Sequence, residues 1–229
     1  FEAHNNIVFP GGGPLNTIWR RALLKGAAGP SLRLFVTISE ALGAWWCEKG
    51  IPEHKICALH DAVDPAQFNV LTQGDARQKL ALPVDAKIVV YTGSLYSDRS
   101  IPDILKLAET RRATLFLIVG GPESAKQNYA HMAQTQGLDN VTFTGRVPHK
   151  DVSTYLAAAD VLLMIWSDRV PTINYCSPLK VFEYMAAERI IVGQNFPTIG
   201  EVLNDGIHAF LADPASFDSL SDKLSAALS

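Results

Sequence analysis

Residues 87–110, KIVVYTGSLYSDRSIPDILKLAET, carry the pattern that decides the fold. The first six are a short apolar run typical of a buried strand, Gly93 interrupts it, and a helical pattern follows over residues 101–110. Downstream the same succession recurs, about six times in all. It predicts strands over residues 114–119, 141–144, 161–165, 190–192 and 209–211, and helices over residues 124–136, 149–158, 179–187, 199–203 and 217–228.

Short alternating strands and helices predict an α/β protein with a Rossmann-like, doubly wound parallel sheet. The strands lack polar alternation, as expected for strands that helices cover on both faces. Ligands of such sheets bind outside the carboxyl ends of the strands. The loops of interest are therefore those at Gly93, Gly120 and Gly145, and the loop over residues 166–178.

Composition sets broad limits on function. Hydrophobic residues make up 48% of the 229 and charged residues 19%, which predicts a sizeable core. The formal net charge of −3 gives no basic surplus for nucleic acid.

Three cysteines without CxxC spacing and no membrane-length apolar run favour a cytoplasmic location. Because the chain starts at Phe1 and at once reads as mid-domain sequence, we expect it to be incomplete.

Two loops offer candidate ligand contacts. After the strand over residues 87–92, Gly93 permits a sharp turn, Ser94 offers a hydroxyl and Arg99 a donor fork for phosphate. In the loop after residues 141–144, Arg146 and Val147 offer a cation and backbone groups for a base edge. Ordinary structural turns with solvated arginines are the alternative for both loops.

The segment Ser177-Pro178-Leu179-Lys180 is the strongest signal. Ser177 suits a helix N-cap and Pro178 the first helical position, so amides at the helix start would favour a diphosphate. Three residues after Lys180, Glu183 lies on the same helix face, where a carboxylate can accept both ribose hydroxyls. The alternative is a surface Lys–Glu pair on a capped helix.

These residues resemble glycosyltransferase family 4, a large group of retaining enzymes with the two-domain GT-B fold. The resemblance rests on Gly93-Ser94-Leu95 with Arg99, on residues 140–147 (NVTFTGRV) and on residues 177–186 (SPLKVFEYMA). It covers residues 85–229 well and extends back over residues 36–68. It implies three regions: residues 1–70 from the end of an acceptor-binding domain, a linker over residues 71–86, and a nucleotide-sugar donor-binding domain over residues 87–229.

The resemblance also implies roles. Arg99, Lys180 and His4 are the expected catalytic residues, with His4 near the acceptor. Gly93, Ser94, Arg146, Val147, Ser177, Pro178, Leu179 and Glu183 join Arg99 and Lys180 in binding the nucleotide sugar. Two positions depart from the family pattern: Ser94 replaces a phosphate-binding arginine, and Tyr175 replaces the first of two glutamates. In addition, Glu188 stands where a glycine is usual.

The predicted function is transfer of a hexosyl-type sugar from a UDP-, GDP- or ADP-sugar to a glycan, lipid or small-molecule acceptor, with retention. No cofactor and no metal are expected, since no DxD pair lies at a strand end. Without the rest of the acceptor domain, we expect this chain to bind nucleotide but not to turn over acceptor. Contact with a membrane surface through that domain, and self-association, remain partner hypotheses. A non-catalytic binding or scaffold subunit and a sugar-nucleotide epimerase are the alternatives.

Overall fold

The computed structural model describes residues 2–4, 14–68 and 71–229, which divide into two compact units. The smaller comprises residues 1–61, 171–178 and 196–202, and the larger comprises residues 62–170, 179–195 and 203–229. Each unit has its own parallel sheet. Within the described residues, no helix is both long enough and apolar enough to cross a membrane.

The smaller unit contains a three-stranded sheet. Its strands are β1 (Glu2–Ala3), β2 (Phe35–Thr37) and β3 (Ile56–Ala58), paired in that order. The helices are α1 (Pro14–Ala28), α2 (Glu40–Glu48) and the short α8 (Pro197–Gly200). Ser39 caps α2, and its hydroxyl accepts a hydrogen bond from the Leu42 amide at 3.1 Å. Phe35, Leu42 and Trp46 form the centre of this unit's core.

The larger unit contains a six-stranded parallel sheet, which confirms the predicted fold class. Its strands are β4 (Lys87–Thr92), β5 (Thr114–Val119), β6 (Val141–Gly145), β7 (Val161–Met164), β8 (Ile190–Gln194) and β9 (Phe210–Ala212). Their order in the sheet is β6-β5-β4-β7-β8-β9. The strand order therefore reverses between β4 and β7, which is where doubly wound sheets open a ligand crevice.

Six helices belong to the described part of the larger unit: α3 (Gln73–Lys79), α4 (Ile101–Glu109), α5 (Glu123–Thr135), α6 (His149–Ala158), α7 (Leu179–Ala186) and α9 (Phe217–Leu228). Helices α4 and α9 pack in one cluster with the central strands, through residues such as Ile104 and Leu224. All but α3 were predicted. Gly137 follows the end of α5 with a φ of +64°, a left-handed conformation that suits glycine just after a helix.

The predicted linker is partly an ordered element of the larger unit. Its residues 73–79 form α3, and Arg77 on that helix is only 4% exposed. The Arg77 guanidinium donates to the carbonyls of Ala158, Val84 and Ala86 and pairs with Asp160 at 2.7 Å. The polar composition of residues 71–86 is typical of a linker. Composition does not show that Arg77 finds several buried hydrogen-bond acceptors.

Candidate active site

A cleft of about 640 Å³ opens at the carboxyl ends of β4, β5 and β6 in the larger unit. Loops after these strands and the first turns of α6 and α7 form its walls. Seven of the ten predicted nucleotide-sugar-binding residues line it: Gly93, Ser94, Arg146, Val147, Leu179, Lys180 and Glu183. Residues separated by up to 90 positions in the sequence thus meet in one depression.

Two glycines allow the loops at the base of this cleft to approach each other. The φ angles are +144° at Gly93 and +113° at Gly120. A Cβ atom on Gly120 would lie 2.3 Å from the carbonyl oxygen of Gly93, so no side chain fits there. The amide of Gly93 donates to Val119 at 2.9 Å, and that of Gly120 donates to Gly145 at 2.9 Å. The base of the cleft is consequently closed and hydrogen-bonded.

Lys180 places its amino group at the base of the cleft. Its Nζ lies 4.1 Å from the centre of the Tyr91 ring, and a Cβ atom on Gly93 would lie 2.9 Å from it. Burial lowers the pKa of Lys180 to about 7, the positive charge of Arg99 also lowers it, and the Glu183 carboxylate acts in the opposite direction. An anion bound in the cleft would offset burial by stabilising the charged form.

Glu183 lies one helical turn from Lys180 and its side chain is 16% exposed. Its Oε1 is 3.6 Å from Nε2 of His149, an exposed residue at the start of α6 that also lines the cleft. The sequence does not single out His149, because a lone histidine without metal-ligand spacing carries no signal. Arg146 is exposed and Val147 half-buried in the adjacent loop.

The hydroxyl of Tyr184 fixes the position of α7. It accepts a hydrogen bond from the Thr92 amide at 2.9 Å and lies 3.2 Å from the Thr92 hydroxyl, at the end of β4. Burial raises the pKa of the Tyr184 hydroxyl well above its usual value. This residue was part of the motif, but nothing in the sequence assigned it a contact. It anchors the helix that carries Lys180 and Glu183.

Arg99 belongs to the larger unit but does not line this cleft. Its guanidinium carbon lies 5.7 Å from the Trp166 ring centre, and its Nε is 3.4 Å from Asp98 Oδ1. Both of those polar atoms are buried without a hydrogen-bond partner in the described structure. The role of Arg99 toward phosphate therefore stays a prediction.

The remaining predicted residues belong to the smaller unit. The Ser177 hydroxyl accepts a hydrogen bond from the Asp61 amide at 2.9 Å, and α7 begins two residues later, so our prediction of a Ser177 side-chain cap at the first helical turn is wrong. Pro178 is buried beside it. His4 is exposed, with its Nε2 2.9 Å from Glu2 Oε1, and it stays a prediction as a catalytic residue.

Tyr175, which occupies the first glutamate position of the resemblance, is part of the smaller unit's core. Its ring packs against Trp45 with centroids 6.4 Å apart, and its carbonyl accepts from the Ser39 hydroxyl at 2.7 Å. Glu188, which replaces the usual glycine, has a φ of +54°. A search of the described ranges found no group of three or more His, Cys, Asp or Glu side chains arranged to hold a metal ion.

The parallel sheets, the reversal of strand order and the glycine-lined cleft define a protein of the GT-B class. Residues 72–229, more than half of the chain, match the family described as Glycosyl transferases group 1, and the chain belongs to that family.

The chain is 26% identical to D-inositol 3-phosphate glycosyltransferase of Nocardioides sp. over 179 residues, which cover 69% of this chain and 38% of that protein. It is structurally similar to sucrose-phosphate synthase from Thermosynechococcus elongatus, with a TM-score of 0.75 at 18% identity, covering 98% of this chain and 57% of that one. Anabaena HepE in complex with UDP-glucose gives a TM-score of 0.71 at 17% identity, covering 98% and 61%. This chain therefore spans less than two thirds of each of these relatives.

Proposed function

We propose that the cleft of the larger unit is the donor site of a glycosyltransferase that uses a nucleotide-diphosphate sugar. The observation that carries the proposal is the convergence of Gly93, Lys180 and Glu183 on one cleft at the point where strand order reverses. HepE, a structural relative, has been solved with UDP-glucose, which supports a sugar nucleotide as the ligand class.

Each side of the cleft has a proposed role. The Lys180 ammonium and the amides at the start of α7 stabilise the charge that develops on the leaving diphosphate, a form of electrostatic preorganisation. Glu183 accepts the ribose hydroxyls, and the loop at Arg146 and Val147 holds the base. The base specificity, among UDP, GDP and ADP, is decided by that loop.

We further propose that transfer proceeds with retention and without a metal ion, to a glycan, lipid or small-molecule acceptor that binds to the rest of the protein. Tyr175 supplies no carboxylate, so in this proposal no acidic side chain from that position contacts the transferred sugar. A non-catalytic nucleotide-sugar-binding subunit is the second candidate, and the packing of Tyr175 against Trp45 favours it.

Titration calorimetry of the chain with UDP, GDP and ADP, with and without EDTA, tests the donor site. We expect one nucleotide to bind with undiminished affinity in EDTA and at least about tenfold more weakly to Glu183→Gln. Glu188→Gln, a charge-matched change at the end of the same helix and outside the cleft, should bind as wild type. Binding of no nucleotide, or equal binding by Glu183→Gln, would refute the assignment.

The proposed transfer reaction is tested on the protein with its complete acceptor domain. Sugar release or transfer from the preferred donor, followed by NMR of the anomeric proton, separates the candidates. Product with the donor's anomeric configuration supports retention, and inverted product contradicts it. Nucleotide binding without turnover on any acceptor of a glycan panel identifies the non-catalytic alternative.

A further inference from the structure

A second cleft, of about 480 Å³, opens in the larger unit at the carboxyl ends of β7, β8 and β9. It shares no lining residue with the donor cleft, and it is bounded by Trp166, Gln194 and Pro214 after those strands and by Ser100 at the start of α4. We infer that this cleft binds a neutral hexose-sized sugar, either free or as a unit of a glycan.

The base of this second cleft is rigid. Gln194 is 8% exposed, its Oε1 accepts from the Trp166 amide at 2.8 Å, and its Nε2 donates to the Pro214 carbonyl at 3.2 Å. One buried amide therefore joins the loops that follow β7, β8 and β9. Such fixed geometry suits ligand binding, because the protein has little conformational freedom left to lose.

Ser100 points to a ligand in this cleft. Its side chain lines the cleft, the residue is only 7% exposed, and its hydroxyl does not cap α4 or bond to any other described residue. This hydroxyl is not fully enclosed, so water or a ligand hydroxyl in the cleft can pair with it. Ser100 also has a φ of +51°, a left-handed conformation that is unfavourable for serine and is concentrated at functional sites.

The charges around the cleft favour a neutral polyhydroxy ligand. Arg169 donates to the Ser97 carbonyl and the Ser167 hydroxyl, both at 3.2 Å, while Asp103 and Asp168 contribute two carboxylates. Lys106 pairs with Asp103 at 3.7 Å, so two carboxylates face two cations and leave no net positive charge to attract a phosphate. A carboxylate accepts two hydroxyl protons and a guanidinium donates several N–H groups, so together they match the neighbouring hydroxyls of a sugar ring.

Nuclear magnetic resonance of the complete chain tests this inference. The probes are the methyl α-glycosides of glucose, galactose and mannose, and one oligosaccharide of each sugar, up to about 100 mM and in the presence of saturating nucleotide. We expect at least one to shift the Trp166 indole and Gln194 side-chain signals with a millimolar Kd. A monosaccharide response alone indicates a free sugar, and tighter oligosaccharide binding indicates a glycan. No shift with any probe overturns the inference.

Ser100→Gly separates a ligand contact from a structural role. It removes the hydroxyl and the left-handed strain together, so we expect a higher unfolding midpoint but at least about threefold weaker sugar binding. Glu188→Gly relieves the same kind of strain outside the cleft and should stabilise the protein without changing sugar affinity. Asp103→Asn, on the exposed rim, should also weaken binding about threefold. Wild-type affinity in both Ser100→Gly and Asp103→Asn contradicts the assignment.

Discussion

The hydroxyl of Tyr184 accepts a hydrogen bond from the backbone amide of Thr92 at 2.9 Å, which joins α7 to the end of β4 beside the donor cleft. Both residues are buried, so this bond is not exchanged with water. Because Lys180 and Glu183 precede Tyr184 on the same short helix, one bond between two elements holds both proposed donor contacts in place.

Tyr184→Phe should therefore weaken both folding and nucleotide binding. Loss of the acceptor leaves the Thr92 amide buried without its partner, which costs about 1–3 kcal/mol of unfolding free energy. Urea denaturation should show a lower midpoint with an unchanged m-value, and calorimetry should show weaker nucleotide binding. Tyr155→Phe, in the half-buried part of α6, is the matched control. An unchanged midpoint in Tyr184→Phe would mean that water replaces the hydroxyl.

Nucleotide affinity should depend on pH through Lys180. The pKa of the free protein's Lys180 is about 7, and a bound diphosphate raises it, so binding takes up a proton above pH 7. Affinity should be nearly constant just below pH 7 and fall by up to about tenfold per pH unit above it. Calorimetry at pH 8 in buffers of different ionisation enthalpy measures the proton uptake. Lys180→Met should abolish that uptake and bind weakly at every pH, and persistent uptake would assign the proton to another group.

Gly120→Ala should severely destabilise the larger unit. The added Cβ meets the Gly93 carbonyl oxygen at 2.3 Å, and the φ of +113° is unfavourable for alanine. We expect a loss of at least about 3 kcal/mol and loss of nucleotide binding. In Gly137→Ala, φ is +64° but a Cβ meets nothing within 4 Å, so only about 1 kcal/mol should be lost. Equal losses in the two variants would show that contact with Gly93 is unimportant.

Arg77→Met should show that α3 is an integral part of the larger unit. The change removes the guanidinium from the Ala158 carbonyl and from the Asp160 carboxylate, which keeps only its bonds from the Ile88 amide and Gln73, and it costs about 3–5 kcal/mol. Arg112→Met, an arginine on the surface of the same unit, should cost about 1 kcal/mol or less. Chemical denaturation measures both. If Arg77→Met were as stable as Arg112→Met, residues 71–86 would act as the linker that the resemblance implies.

The local pattern of apolar runs predicted nearly all of the larger unit. The strands after Lys87 and the helices between them were located to within a few residues, since each is marked by its own periodicity, and β4, β5, β6 and α5 also by a glycine at the end. Helix α3 was not predicted because its only buried residues are Ala76 and Arg77, which do not form an apolar stripe. Strand β1 was not predicted because it has two residues, too few to show a hydrophobic periodicity.

The candidate donor site was predicted in part. Seven predicted residues line one cleft because each follows a parallel strand or lies on α7, and the ends of parallel strands meet at one sheet edge. Arg99 lies elsewhere because its side chain packs on Trp166, 67 positions further along the chain, a contact that spacing cannot show.

The fold class, the order of the elements, and the glycines and charged residues of the donor cleft can be inferred from local sequence. Those features depend on residues close together in the chain, and hydrophobic periodicity and turn chemistry report them directly. Four contacts become apparent in the folded chain alone: Tyr184 bonds to Thr92, Ser177 accepts from Asp61, Tyr175 packs against Trp45 and Ser100 lines a second cleft. Each of these depends on which buried polar or aromatic group finds a partner far along the chain, and that choice is made by packing of the whole fold.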